Sequence, residues 1–248
     1  ADQILIRLAD LYYYRDKDRF LASMDAFDEA LTRKEAGVAD SVPAEPAPDF
    51  SQSVALYVRL IRDFPESELL DDAMYSQAFL LEEMDRHEEA NALYHQLIRQ
   101  HPESSFVPEA YMRLAEYYFN PPRNELARAI TLYQNVLRFR RSDRYEEALY
   151  KLGWSHYRLS QYPEAISTFT DLVEHAAASP GGGSDAGGLR DEAVEYIALS
   201  FMDFGGPVKA REYLDQIGKP AWGRDVLMKL AGIYMDEKEE YENAIATY

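Results

Sequence analysis

A small residue recurs along this chain at nearly constant intervals, and that recurrence limits the folds open to it. Aligning "YSQAFLL", "YMRLAEYYF", "LYKLGWSHY", "YIALSF" and "LMKLAGIYM" puts Ala78, Ala115, Gly153, Ala198 and Ala231 in one series, with spacings of 37, 38, 45 and 33. A second series follows each by 12 to 14 residues: Ala90, Ala129, Ala165, Ala210 and Ala244. Four residues later stands an aromatic residue or leucine: Tyr94, Tyr133, Phe169, Leu214 and Tyr248. The segment "SVALYVRLI" around Tyr57 fits the second series too. Self-similarity at this period is the signature of stacked supersecondary units, each too small to bury its apolar face alone.

The units read as helix pairs. In the first helix of a unit, apolar residues fall at i, i+3, i+4 and i+7, as in Leu149, Leu152, Gly153 and His156 with Tyr157, which gives one buried stripe. Glycine inside a helix costs about 1 kcal/mol relative to alanine, so Gly153 needs a packing reason. A second helix pressed against it supplies one, with its Ala facing the small residue and its aromatic filling the space beyond. "LYKLGWSHYRLSQYPEAISTF" (149–169) is therefore expected to be a helix–helix seam and not a reaction centre.

At these offsets residues 146–173 resemble a tetratricopeptide repeat (TPR): Leu152-Gly153, Tyr157, Tyr162, Ala165 and Phe169 stand where that pattern wants them, with His156 in place of a usual Tyr. The resemblance extends over roughly 50–248, with a degenerate match at "RLADLYYY". It implies an all-α, right-handed TPR superhelix, an α-solenoid of antiparallel helix pairs. Residues 1–49 are expected to be degenerate TPR or capping helices with an Ala/Pro-rich insertion. Residues 50–248 are expected to hold about five repeats, with a Gly-rich loop near 179–188. Residues 2–14 and 17–34 form either one repeat, or a cap followed by the first helix of a repeat with a long insertion. Both chain ends fall within apolar-periodic segments, which suggests a piece of a longer protein, with any lipid-anchoring Cys or address outside it.

A finer resemblance lies between repeats. "FPESELLDDAMY" (64–75) and "HPESSFVPEAYM" (101–112), with a decayed copy at "RRSDRYEEALY" (140–150), lengthen the unit. Pro65 and Pro102 stop one helix; Ser67 and Ser104 are candidate N-caps for the next, and Asp71, Asp72 and Glu109 favour its positive end. Such linkers look like those of bacterial cell-envelope TPR proteins, the outer-membrane assembly lipoproteins and Tol–Pal-associated periplasmic proteins. That likeness implies a non-enzymatic periplasmic scaffold. A cytoplasmic peptide-sensing module, or the recognition arm of an enzyme, are the alternatives.

Three stretches interrupt the period: "EAGVADSVPAEPAPDFS" (35–51), "FNPPRNE" (119–125) and "AAASPGGGSDAGGL" (176–189). The first and last read as exposed insertions. The last has no strand before it and no Gly-Lys-Ser/Thr after it, so it is not a phosphate-binding loop.

Charge and composition exclude several functions. The formal net charge is −18, which repels nucleic acid and anionic lipid. Arg138, Arg140, Arg141 and Arg144 form the one basic cluster, where cations at a helix C-terminus are the plainer reading. Without cysteine there is no thiolate chemistry, disulfide or Cys-based zinc site. "HEEAN" at His87 lacks the second His of a helical zinc motif, Asn91 standing there. No catalytic, metal or cofactor site is expected. No apolar run is long enough to span a membrane.

What remains is the inner groove that such arrays form. Counting from the aligned small residues, its positions hold Asp72, Tyr75 and Phe79; Glu109, Met112 and Glu116; Glu147, Tyr150 and Trp154; and Glu192, Glu195 and Leu199, with Asp225, Met228 and Gly232 in the weakest repeat. Acidic at one edge and aromatic along its middle, this surface suits a basic or apolar protein or peptide partner. It lacks the Lys, Asn and Arg with which chaperone-binding TPRs clamp a terminal carboxylate.

Overall fold

Helix boundaries in the computed structural model follow the breakers in the sequence. The structure describes residues 1–38, 41–178 and 184–247; the side chains of 184–187 and of Glu237 lie outside the description. Every regular element among the described residues is helical: α1 (Asp2–Glu35), α2 (Ser51–Asp63), α3 (Leu70–Glu83), α4 (His87–Gln100), α5 (Val107–Phe119), α6 (Leu126–Val136), α7 (Tyr145–Arg158), α8 (Tyr162–Ala178), α9 (Ser184–Asp203), α10 (Gly206–Gln216), α11 (Gly223–Gly232) and α12 (Tyr241–Thr247), with a π-helical stretch Ile233–Glu237 after α11. The all-α expectation holds. Residues 1–110 and 111–248 form two compact units. Within the first of them α1 packs directly on α2.

In the first unit α1 packs on α2, α2 on α3 and α3 on α4. Arg15 of α1 bonds Gln52, while Asp10 bonds Tyr57; the partner number falls as the other rises, so α1 and α2 run antiparallel. Residues 2–14 and 17–34 are not two helices but one, because "YYYRDKDRF" contains neither Gly nor Pro to stop it. Its second half extends past α2. The returning stretch comes back along it, Pro46, Ala47 and Asp49 sharing a cleft with Asp16, Arg19, Phe20 and Ser23. The insertion does separate two helices, yet Val42, Pro46 and Pro48 are half-buried; its residues 39–40 lie outside the described ones.

In the second unit α5 and α6 share one apolar cluster, each helix from α6 onward packs on the next, and α7 also touches α9, as α9 touches α11. Gly153 lies at the seam of α7 and α8, and there the expectation sharpens. A Cβ at Gly153 would come within 2.7 Å of the Phe169 ring, so the aromatic itself, and not Ala165, presses on the glycine. Of the stretch 176–189, residues 179–183 lie outside the described ones and α9 already begins at Ser184. Tyr248 of the aromatic series is also outside the description.

The linker serines reach beyond their own helices. Helix α3, which follows Ser67, has no side-chain N-cap. Ser67 and Ser104 each accept a bond from the backbone N–H two residues on, at 3.3 and 3.2 Å. Each also donates its hydroxyl at 2.6 Å to an aspartate in the first helix of the preceding repeat, Ser67 to Asp2 and Ser104 to Asp71. Asp71 stands seven residues before the aligned Ala78, and Asp2 seven before Ala9 of the degenerate match "RLADLYYY". The linker thus ties one repeat to the last by a charge-assisted bond.

Candidate functional site

The groove positions divide between the two units. In the first, Asp72, Tyr75 and Phe79 lie half-exposed along α3, and Glu109 half-exposed at the start of α5. Tyr75 stacks on Phe106, centroids 4.8 Å apart at 14°. Burial pushes the Asp72 carboxyl above the usual aspartate range, the Ser76 hydroxyl bond opposes this, and the nearby charges of Asp10 and Asp71 push it further up. Tyr57 donates its hydroxyl to Asp10 at 2.7 Å, and burial with that bond pushes the phenol up out of reach of ordinary pH. Tyr94 donates likewise to Glu82 at 2.9 Å. Tyrosines of the second helices thus fix carboxylates of the first helices.

In the second unit Met112 departs from expectation. It is 1% exposed, packed with Ala115, Phe119, Leu126 and Tyr133. Methionine is unbranched and bends into gaps that a tyrosine at this position would not fit; it belongs to the core. Glu116, Glu147, Tyr150, Trp154 and Leu199 are half-exposed, and Glu192 and Glu195 exposed.

Two of these, Tyr150 and Trp154, join Tyr157 and Phe169 around a residue that the register left out. The Tyr196 ring has Trp154 and Tyr157 edge-on at 5.5 Å each, Phe169 stacked at 5.5 Å and Tyr150 edge-on at 6.4 Å. Tyr162 reaches the cluster through Tyr157 at 5.9 Å. Tyr150 donates its hydroxyl to Glu192 at 2.5 Å, so the acidic edge is bonded directly to the aromatic middle. Burial and then that carboxylate hold the phenol well above its usual range. The Trp154 indole N–H is close enough to offset this slightly, but it makes no hydrogen bond. Trp154 also lies under the Arg158 guanidinium, 5.8 Å from the ring centroid.

The remaining acids are partly occupied. Glu147 pairs with Arg144 at 2.8 Å and Glu195 with Lys229 at 2.8 Å; Glu192 has no cation among the described residues. Further along, Glu195, Met228 and Gly232 come together with Lys229, Ile233 and Asp236 around a shallow cavity of about 440 Å³. Arg144, read within the basic cluster, is thereby a partner of the groove acid Glu147.

Residues 157 and 196 were the ones missed. Tyr150, Trp154 and Tyr157 stand at i, i+4 and i+7, a legible stripe, but Tyr157 was assigned to the seam. Tyr196 lies two residues before Ala198, off the groove register, and only the approach of α9 to α7 brings it in. His87 sits 3.5 Å from Asp85 at the surface, and buried His156 bonds Gln161 at 2.7 Å. Among the described residues no group of three His, Cys, Asp or Glu is placed to hold a metal, and no helix is long and apolar enough to cross a membrane.

Residues 72–104 and 147–179 match the tetratricopeptide repeat family model. Those two segments are similar to tetratricopeptide repeats. Each match begins within a first-helix groove segment, at Asp72 and at Glu147, and runs through the second helix of its pair. No curated protein matches the chain. Among solved structures it is similar to a tetratricopeptide repeat protein from Parabacteroides merdae ATCC 43184. The identity is 15% over 91% of this chain and 77% of that one, with a TM-score of 0.46.

Proposed function

We propose that this TPR chain is a non-enzymatic scaffold that holds a basic or apolar segment of a partner protein in its groove, within a bacterial cell-envelope complex. The observation that carries the reading is the Tyr150–Trp154–Tyr157–Tyr196 cluster bonded through Tyr150 to an uncompensated Glu192. Rigid aromatics give large contact area for little ordering cost, and an adjacent carboxylate without a cation favours Lys or Arg on the ligand. TPR arrays bind protein or peptide partners, which gives such a surface its use. The envelope setting rests on the Pro-acid-Ser linkers, and the periplasm is the compartment it implies.

The test is capture from a bacterial envelope extract with the wild-type chain and with Tyr150→Ala/Trp154→Ala. Loss of a partner in the double variant, at unchanged helicity and melting temperature, supports groove binding. Retention moves the interface elsewhere. Capture only from cytosolic extract would overturn the envelope setting while leaving the scaffold role.

A further inference from the structure

One face of α1 is open to solvent where comparable helices of the chain are covered. Ile4, Leu8 and Leu11 stand five and one residues before and two after Ala9, and are 71%, 38% and 66% exposed. At i, i+4 and i+7 they form a single stripe. The same three positions hold Ala73, Gln77 and Leu80 around Ala78 of α3, and Val226, Leu230 and Ile233 around Ala231 of α11, none of them above 9% exposed. Those of α7 and α9 are at most 4% exposed. Each of these four helices has the second helix of the preceding pair packed on it: α2 on α3, α6 on α7, α8 on α9 and α10 on α11. Among the described residues no such helix lies on α1. A helix that closes an array turns a polar face outward, whereas α1 turns out isoleucine and leucine.

The other half of such a seam lies on α12. Tyr241 and Ile245 stand three residues before and one after Ala244, and are 61% and 75% exposed. "YENAIAT" repeats the pattern of "YPEAIST" in α8, where Tyr162 and Ile166 hold the same two positions. There α9 packs on α8, Tyr162 is half-buried and Ile166 buried. The chain thus carries an uncovered first-helix face and an uncovered second-helix face, of the two kinds that cover each other elsewhere within it. Lys and Arg balance Asp over residues 1–19, so α1 does not repel Glu239, Glu240 and Glu242 beside the α12 face as the rest of an acidic chain would.

We propose that α1 of one copy docks α12 of a second copy, continuing the stack of helices from one molecule into the next. The contact is heterologous: a copy that gives its α12 to one neighbour keeps its α1 for another, so assembly builds rings or filaments. Two short helix faces bury less than the roughly 1,600 Å² of a standard interface, so association is weak and depends on concentration. The groove takes no part in it, and the reading above stands or falls separately.

Sedimentation equilibrium of the unaltered chain, of Leu11→Glu, of Ile245→Glu and of the two variants mixed tests this, at about 10 µM to about 0.5 mM to suit a small interface. Both side chains are exposed, so the variants keep their helices, which circular dichroism checks. The unaltered chain should form dimers and larger species as concentration rises. Each variant alone should associate at least about tenfold more weakly, because an unpaired carboxylate would be buried in an apolar contact. Their equimolar mixture should form a 1:1 dimer and nothing larger, since one intact α1 face and one intact α12 face remain. Added salt should strengthen association by screening the −18 on each copy; weakening would mean that ion pairs and not apolar faces hold the copies, against the proposal. A chain that stays monomeric throughout overturns it and leaves the α1 face to a helix other than α12. Association lost in Leu11→Glu but kept in Ile245→Glu means that two α1 faces pack on each other, and overturns it as well. Association kept in both variants places the contact elsewhere and does the same.

Discussion

At the scale of single residues, the tightest constraint is Gly153. Replacing it with alanine gains about 1 kcal/mol of helix propensity, but drives a methyl to 2.7 Å from the Phe169 ring. Overpacking costs of about 1–3 kcal/mol outweigh the gain, so Gly153→Ala should lower stability in urea denaturation. In Phe169→Leu the penalty of Gly153→Ala should shrink; equal penalties in both backgrounds would show that the ring is not the obstacle. Asp72 gives a pH prediction. Its folded carboxyl is raised by burial, so the stability it contributes is full below its unfolded pKa and is lost as pH rises through the higher folded one. Asp72→Asn should therefore raise the melting temperature at pH 7, with the gain vanishing below about pH 3.8, the unperturbed value. A gain constant with pH would mean that the charge is not what is penalised. Asp2 behaves oppositely: the Ser67 hydroxyl, first among its causes, lowers its pKa, and its contribution is lost as pH falls.

At the scale of elements, the repeat predicts which copies of one position matter. Ile166 and Ile245 both follow the aligned alanine of a second helix, yet Ile166 is 2% exposed and Ile245 75%. Truncating the first should cost about 2–5 kcal/mol, and truncating the second less than about 0.5 kcal/mol, read from the shift in denaturation midpoint. The linker bond is the other element-scale device. Ser104→Ala leaves Asp71 without the hydroxyl that ties α3 to the next linker, at a cost of about 1–3 kcal/mol, the range for hydrogen bonds to charged groups. An unchanged midpoint would mean that water replaces that bond without loss.

At the scale of the whole molecule, a net charge of −18 should make capture of an Arg-bearing segment fall as salt rises, since screening shortens to about 8 Å near physiological ionic strength. Salt-independent capture would favour an apolar ligand instead. Much of this chain was legible without coordinates. The period of small and aromatic residues determines helix pairs because a 3.6-residue stripe can be buried only against a neighbour. Counting fails where neighbours decide. Met112 and Tyr150 hold the same register position, yet one turns into the core and the other lines the surface, since a flexible thioether goes where space is left. Ser67 and Ser104 were legible as helix-start residues, but their real acceptors lie in the preceding repeat, beyond any local pattern. Tyr196 joins the aromatic cluster only because α9 approaches α7, a distance set by side-chain volumes on both helices. Sequence by itself determined the repeat and the helices, which are properties of spacing and composition. Only the tertiary structure decided which rings meet and which acids stay unpaired, because those depend on the packing of residues far apart in the chain.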